Sequence, residues 1–549
     1  MSIPEYERWR SLACDAEIKD ELAKMESSPE MIEEAFFRSL EFGTGGLRGI
    51  IGAGSNRMNI YTVRRATLGL AKYILEKKLA PSVAIGYDTR IKSREFAECA
   101  ATVFEALGIK SYIFAKPYPT PLLSYATREL HCGAGIMITA SHNPKEYNGY
   151  KVYDETGCQI LTDDANVVIS YVNAITDLTS IPVMEEWEAR ENNLVRHVPN
   201  QVFEAFISNV KAQSHQVGDK SLKVVYTPLH GTGNVPVRRV LSDLGYNVTI
   251  VSEQEKRDGD FPTVISPNPE NAEALSMGVK LCEAIGADIV LGTDPDCDRV
   301  GIAVNTKDGI KLFTGNQVGA LLVDYVIKMN KEKLSSDSTV IKTIVTSELG
   351  TAIAKSYGLR VCETLTGFKY IGEQMNIFES TGNGKFLIGY EESYGYLVGT
   401  YARDKDAVVA SMLICEMATY YKNQGKTLVD VLEDIYKKHG YFLEKLDSFT
   451  LKGIDGVERI AGIMKEMREK GASLFEGVEN VYDYTKGLFD LPKADVLKFI
   501  FKDSSWIAIR PSGTEPKIKV YYSVRGESKD EASKALEARR AIINKLIEG

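Results

Sequence analysis

Ile136-Met137-Ile138-Thr139-Ala140-Ser141-His142-Asn143-Pro144 runs from a short apolar segment into a turn. Ile136 to Ile138 reads as a buried strand, and Asn143-Pro144 stops regular structure. Ser141 is therefore placed on a loop at a strand end, where an α/β sheet presents its chemistry. On position alone this serine is either a nucleophile or a turn-former.

The neighbouring sequence alternates strand and helix. Helical patterns at Tyr61–Lys78 and Ser93–Leu107 flank the apolar runs Val83–Tyr87 and Tyr112–Phe114. Such alternation predicts a mostly parallel sheet with helices on both faces. Before it, Ser28 caps a helix from Pro29 to about Phe42 that Gly43 ends. A first α/β domain is expected over 1–182. Glu185–Gln213 reads as polar and helical and opens a second domain, 183–307, with strands Leu222–Tyr226, Val248–Val251, Ile289–Leu291 and Val300–Val304. Strands Val340–Val345 and Phe386–Gly389 and the helix Ala407–Tyr421 make a third, 308–424. The tail, 425–549, reads as a smaller α+β module. The fold class is thus α/β: three successive mixed-sheet domains plus a C-terminal α+β domain.

After the apolar run at Ile289 comes Asp294-Pro295-Asp296-Cys297-Asp298-Arg299. Carboxylates at i, i+2 and i+4 of extended chain point to one side. They repel one another unless a cation sits between them. Oxygen ligands suit a hard ion such as Mg²⁺; the alternative is an acidic surface turn. An EF-hand loop needs Gly and Glu where this chain has Arg299 and Asn305, so that reading is rejected. Cys297 points away from the carboxylates and reads as packing. His230, in Pro228–Gly233, reads as a group that fixes its loop or as a ligand.

Arg510-Pro511-Ser512-Gly513-Thr514-Glu515-Pro516-Lys517 lies between two strand-like runs. Its guanidinium, hydroxyls and glycine could cradle a phosphate or form an ordinary turn. Gly43-Thr44-Gly45-Gly46-Leu47-Arg48-Gly49 suggests a loop whose backbone approaches a ligand, with Arg48 as its charge. Neither common nucleotide-binding glycine pattern fits it.

At 549 residues the chain exceeds one hydrophobic core. Its net charge of −9 argues against nucleic acid or an anionic membrane as partner. Eight scattered cysteines without a CxxC pair read as reduced thiols. No signal peptide is evident, and no apolar run reaches the roughly 18 residues of a membrane span. A cytoplasmic location is expected.

Taken together, the Ser141, Asp294–Asp298 and Arg510–Lys517 stretches, in that order and at these spacings, resemble the α-D-phosphohexomutases, the phosphoglucomutase/phosphomannomutase superfamily. Gly389-Tyr390-Glu391-Glu392-Ser393-Tyr394-Gly395 resembles that family's sugar-binding loop, and Gly43–Gly49 its first loop. The length and these forms look most like the longer phosphoglucomutase/phosphopentomutase branch.

The resemblance implies four domains around a central cleft. It implies a mutase that interconverts glucose 1-phosphate and glucose 6-phosphate through a phosphoserine at Ser141, with glucose 1,6-bisphosphate as intermediate and activator. One Mg²⁺ per chain would be held by Asp294, Asp296, Asp298 and a Ser141 phosphate oxygen. Arg48 would face the transferring phosphate, and Arg299 would sit beside the metal cluster. Glu391 and Ser393 would bind sugar hydroxyls. Arg510, Ser512, Gly513, Thr514 and Lys517 would grip the resting phosphate. Lys151 matches the family's usual acid/base lysine, and His142 could share that work. Some members carry a histidine where this chain has Gly395; Lys369 is the substitute candidate. Partners are small sugar phosphates, with the chain a monomer or homodimer.

Mannose and pentose phosphates are alternative substrates. A phosphosugar phosphatase using Asp294 as nucleophile would leave Ser141 idle, and a non-catalytic sensor would bind without turnover. A serine hydrolase is disfavoured, because no GxSxG surrounds Ser141.

Overall fold

Asn59 sets the entry to the first long helix. Its side chain accepts hydrogen bonds from Tyr61 N and Thr62 N while Thr62 answers from its hydroxyl, a reciprocal cap on Ile60–Glu76. Apolar residues at helical spacing then lay this helix on a sheet. The structure, a computed structural model, describes residues 2–43, 45–451, 454–512 and 517–548, without the side chains of 454, 455, 457 and 548. The chain divides into two units. Unit 1 comprises Met1–Phe313, Ile371–Gly382 and Gly395–Tyr420; unit 2 comprises Thr314–Tyr370, Asn383–Tyr394 and Tyr421–Gly549.

Unit 1 holds two mixed sheets. The first runs in the order Gly46–Ile50, Tyr147–Asp154, Ala134–Ile138, Ser82–Tyr87, Lys110–Ile113, Val195–His197. The first two pairings are antiparallel and the remaining three parallel. Ala134–Ile138 is buried at every position, as its unbroken apolar run predicts. The second sheet runs Gly309–Leu312, Val300–Thr306, Ile289–Thr293, Lys223–Thr227, Asn247–Ile250. In both sheets a central parallel strand ends in a functional stretch, and an antiparallel strand returns beside it.

Unit 2 contains the parallel strands Arg360–Thr364, Ser338–Thr343 and Lys385–Glu391. It also holds a wholly antiparallel five-stranded sheet, in the order Tyr441–Thr450, Lys517–Gly526, Trp506–Pro511, Leu497–Phe501, Val478–Asp483. The helices Ile454–Lys470 and Lys529–Glu548 bury Met464, Met467 and Ile543 against Phe499, Ile507 and Val520. These are the α/β class and the α+β tail that the alternation predicts.

Three local expectations are corrected. The first is the helix from Pro29, which stops at Phe36 rather than Phe42. The second concerns Glu185–Gln213, which is two helices, Glu186–Glu191 and Asn200–Lys211, around the strand Val195–His197. That strand completes the first sheet, so the sheet runs past residue 182. The third is Gly46–Ile50, which is a strand rather than a ligand-facing loop. There Gly46 has φ of 127°, and a Cβ would lie 1.8 Å from Tyr150 O. Residues 371–382 and 395–420, read as part of a third domain, group with unit 1. Among the described residues, no helix is long and apolar enough to cross a membrane.

Candidate active site

Ser141 lies just past the strand Ala134–Ile138, 2% exposed, with φ of 52°. A left-handed serine costs about 1 kcal/mol and persists only where its surroundings over-determine it. Here they do. Ser141 N donates to Thr139 Oγ1 at 2.8 Å, and Thr139 Oγ1 donates to Asp88 Oδ2 at 2.7 Å. The fully buried Arg90 guanidinium donates to four carbonyls of the same loop: Ser141 O and Asn143 O at 2.5 Å each, Pro144 O at 2.8 Å and Tyr147 O at 3.1 Å. Asp88 and Arg90 stand at the end of the neighbouring strand. The sequence shows them only as a strand terminus; a buried arginine four carbonyls deep has no local signal.

Asp294, Asp296 and Asp298 are 0–1% exposed, and their carboxylate oxygens approach within 4.8 Å of one another. They do not converge by strand alternation, as expected, but on a curled turn. Asp294 Oδ1 accepts from Asp298 N and Arg299 N, each at 3.1 Å, and Cys297 takes φ of 54°. Cys297 is buried, packed in as its position implied. The His230 loop supports this turn. Thr232 N and Oγ1 both donate to Pro295 O at 2.8 Å, and a Cβ at Gly231 would lie 2.5 Å from Pro295 Cα. His230 itself is spanned between Lys256 O and Thr263 Oγ1, each 2.9 Å away, which fits a loop-fixing role.

The two stretches meet. Ser141 Oγ donates to Asp294 Oδ2 at 2.8 Å and lies 3.2 Å from His142 Nδ1. Lys151, on the strand Tyr147–Asp154, places Nζ 2.8 Å from Asp296 Oδ2 and 3.4 Å from Asp298 Oδ2. Arg299 lies beside the cluster, 2.6 Å from Glu270 and 3.8 Å from Asp298 Oδ1. Arg48 donates to Asn143 Oδ1 at 3.2 Å from its strand. Ser141, His142, Lys151, Arg48, Arg299 and the three aspartates are therefore one constellation.

Its electrostatics follow from burial. Desolvation, then repulsion by Asp296 and Asp298, pushes Asp294 well above the usual carboxylate range. Burial opposes ionisation of Asp296 too, but the Lys151 ammonium outweighs it and holds Asp296 low. The same carboxylates outweigh the desolvation of Lys151 and keep it protonated. His142 is held neutral, far below its usual value, by burial and by the charges of Arg299 and Arg48. Asp296 Oδ1 and Asp298 Oδ1 are buried with no hydrogen-bond partner. Three carboxylates, two of them with an orphaned oxygen, fit a hard divalent cation, which would satisfy both the oxygens and the charge.

Lys405 is the residue the sequence reading missed. Its Nζ lies 3.2 Å from Asp298 Oδ2 and 3.0 Å from Asp404 Oδ1. A Cβ at Gly395 would fall 2.1 Å from Lys405 Cδ, so this lysine occupies the space a side chain at 395 would take. Lys369 lies in unit 2, where its Nζ sits 5.2 Å from the centre of the Tyr370 ring. The charged run Arg403-Asp404-Lys405-Asp406 is buried throughout, whereas such a run ordinarily marks a solvated face.

In unit 2, Glu391 accepts from Gly367 N at 3.0 Å, and Ser393 lies in the turn that follows. Arg510 and Lys517 flank a hairpin in which Ser512 N donates to Lys517 O at 2.8 Å. Gly513 and Thr514 lie outside the described residues.

Comparison with known proteins agrees with this geometry. Residues 39–179, 203–309 and 314–439 match the phosphoglucomutase/phosphomannomutase alpha/beta/alpha domains I, II and III, and residues 450–541 match the C-terminal domain. A phosphoglucomutase of Staphylococcus epidermidis is 38% identical over 531 residues, covering 94% of this chain and 96% of its own. Two crystal structures share the fold. A putative phosphomannomutase from Thermus thermophilus has a TM-score of 0.68 at 22% identity, covering 93% of this chain and 100% of its own. The parafusin phosphoglucomutase of Paramecium has a TM-score of 0.70 at 18% identity, covering 92% and 95%. With identity of this order along nearly the whole length, the chain belongs to the phosphoglucomutase/phosphomannomutase family.

Proposed function

We propose that the chain interconverts glucose 1-phosphate and glucose 6-phosphate through a phosphoserine at Ser141 and a glucose 1,6-bisphosphate intermediate. One observation carries this reading: a serine hydroxyl on left-handed backbone, 2.8 Å from Asp294 at the edge of a buried three-carboxylate cluster. The identity to staphylococcal phosphoglucomutases supports glucose as the sugar. A phosphomannomutase or phosphopentomutase would use the same residues.

Phosphoryl transfer asks for in-line positioning and for neutralised charge on the transferring oxygens. In the first half-reaction the bond from phosphorus to Ser141 Oγ breaks, and a bond to the free hydroxyl of the sugar monophosphate forms. The hydroxyl proton must leave, and Lys151 and His142 are the groups placed to exchange protons there. In the second half the other phosphate of the bisphosphate returns to Ser141 Oγ. Arg48, Arg299 and Lys405 offset negative charge around the serine. Asp294, Asp296 and Asp298 would hold one Mg²⁺, with an oxygen of phosphorylated Ser141. Bound there, the ion would neutralise the phosphoryl oxygens. Glu391 and Ser393 would take the sugar hydroxyls. Arg510, Ser512, Gly513, Thr514 and Lys517 would take the resting phosphate. Eight free cysteines support a reducing, cytoplasmic setting, and the active chain would be a monomer or homodimer.

Incubation with glucose 1,6-bisphosphate labelled in phosphorus, followed by peptide mapping, tests the reading. Label is expected on Ser141. Label on Asp294, or none, overturns it in favour of a phosphatase or a sensor. Relative turnover of glucose, mannose and ribose 1-phosphates then assigns the sugar.

A further inference from the structure

Unit 2 contains a second charge cluster, two buried lysines with two partly exposed glutamates, which none of the proposed steps uses. Lys342, on the strand Ser338–Thr343, has no side-chain exposure. Its Nζ lies 2.6 Å from Glu363 Oε1 and 2.9 Å from Glu348 Oε1, and donates to Thr346 O at 3.2 Å. Glu363 Oε2 lies 3.9 Å from Nζ of Lys498, on the antiparallel sheet, and Lys498 is 2% exposed. Lys498 Nζ in turn sits 4.7 Å from the centre of the buried Trp506 ring.

Both ends of this chain of contacts lead to proposed ligand grips. Trp506 opens the strand Trp506–Pro511, which delivers Arg510 and Ser512. At the other end, Thr346 Oγ1 pairs with Thr343 Oγ1 at 2.8 Å and donates to Glu392 Oε2 at 3.2 Å. Glu392 lies between Glu391 and Ser393. A Cβ at Gly315 would lie 2.1 Å from Glu392 O, so that loop has little room to shift.

Stability is a poor account of this cluster. Buried ion pairs are often no better than apolar residues of similar volume, and their best-attested use is to fix register. A lysine held 3.9 Å from its carboxylate, with its ammonium over the buried Trp506 ring, is a weak source of net energy. It is a specific one, because only one seating of the two sheets lets Glu363 reach both lysines.

We propose that Lys498, Glu363 and Lys342 are positioning residues that couple the seating of the Trp506–Pro511 strand to the Glu391–Ser393 loop. The functional consequence rests on the mutase reading above; the mechanical coupling does not.

Hydrogen exchange on the full chain tests the coupling. In Lys498→Met, faster exchange is expected in peptides covering 343–348 and 389–395 as well as 498–511. A change confined to the antiparallel sheet overturns the proposal. Kinetics test the consequence. Lys498→Met and Glu392→Gln should each raise KM for glucose 1-phosphate about tenfold with a smaller change in kcat, and the double variant should be no worse than the weaker single. Independent, multiplying effects overturn the proposal, and Lys498→Arg should restore most of the loss. Should Lys498→Met fail to fold, Lys342→Met/Glu348→Gln/Glu363→Gln/Lys498→Met keeps the approximate volume and removes every charge. It should fold and still exchange fast at 389–395; wild-type protection there overturns the proposal. A wild-type chain inactive on all three sugar phosphates would sink the mutase reading, while the exchange experiment would still decide the coupling.

Discussion

Around Asp294 three buried carboxylates crowd together and leave Asp296 Oδ1 and Asp298 Oδ1 without a hydrogen-bond donor, whereas around Lys342 the two glutamates and two lysines satisfy one another. Both clusters lie near the ends of sheet strands; the three aspartates are fully enclosed, while Glu348 and Glu363 reach solvent. What separates them is closure. An open valence in a low dielectric is costly and persists where a guest completes it. A closed set needs no guest and acts as architecture.

The largest effect should come from the serine beside the open cluster. Ser141→Ala should lower mutase turnover by roughly 10³-fold or more while leaving the unfolding temperature near wild type. A coupled assay at wild-type rates would remove the serine from the chemistry. Next, the closed cluster should respond as structure. Lys342→Met strands Glu348 and Glu363 and should cost about 3 kcal/mol in denaturant unfolding, the low end for a broken buried pair because both carboxylates reach solvent. A neutral result would erase the distinction drawn here.

The open cluster should respond to its guest. Mg²⁺ at 100 times its Kd should stabilise the wild type by about 2.7 kcal/mol, and Asp296→Asn should be unresponsive. A flat wild-type titration would break the comparison from the other side. The smallest effect concerns Glu444, which burial pushes up from 4.5 to about 7. The folded chain keeps a proton that the unfolded chain releases. The favourable contribution is therefore present below about pH 4.5 and is lost as pH rises toward 7. Glu444→Gln should unfold about 1 kcal/mol harder than wild type at pH 8, with the gap closing near pH 4.5. Equal melting curves at pH 8 would show Glu444 to be ordinary.

The strand ends carrying Ser141 and Asp294 were legible because unbroken apolar runs stop at Asn-Pro and Asp-Pro, which are local signals. The way the aspartates converge was not. Period-two alternation placed them on one side of an extended chain, but left-handed Cys297 and two amide bonds to Asp294 curl the turn instead. Arg48 was not legible as part of a strand, because Gly46 is demanded by Tyr150, a residue far along the chain. Lys405 and Arg90 were invisible for the same reason: each acts through partners more than fifty residues distant. Val195–His197 was read as helix since three residues of edge strand carry too little pattern to compete with polar flanks.

The positive φ at Ser141 narrows what can stand there. Threonine offers the same oxygen nucleophile, yet its branched Cβ disfavours that region of backbone space. A Ser141→Thr enzyme would have to unwind its own loop, against Arg90's grip on four carbonyls, before its hydroxyl could be presented. The choice between two chemically interchangeable alcohols is made here by the main chain.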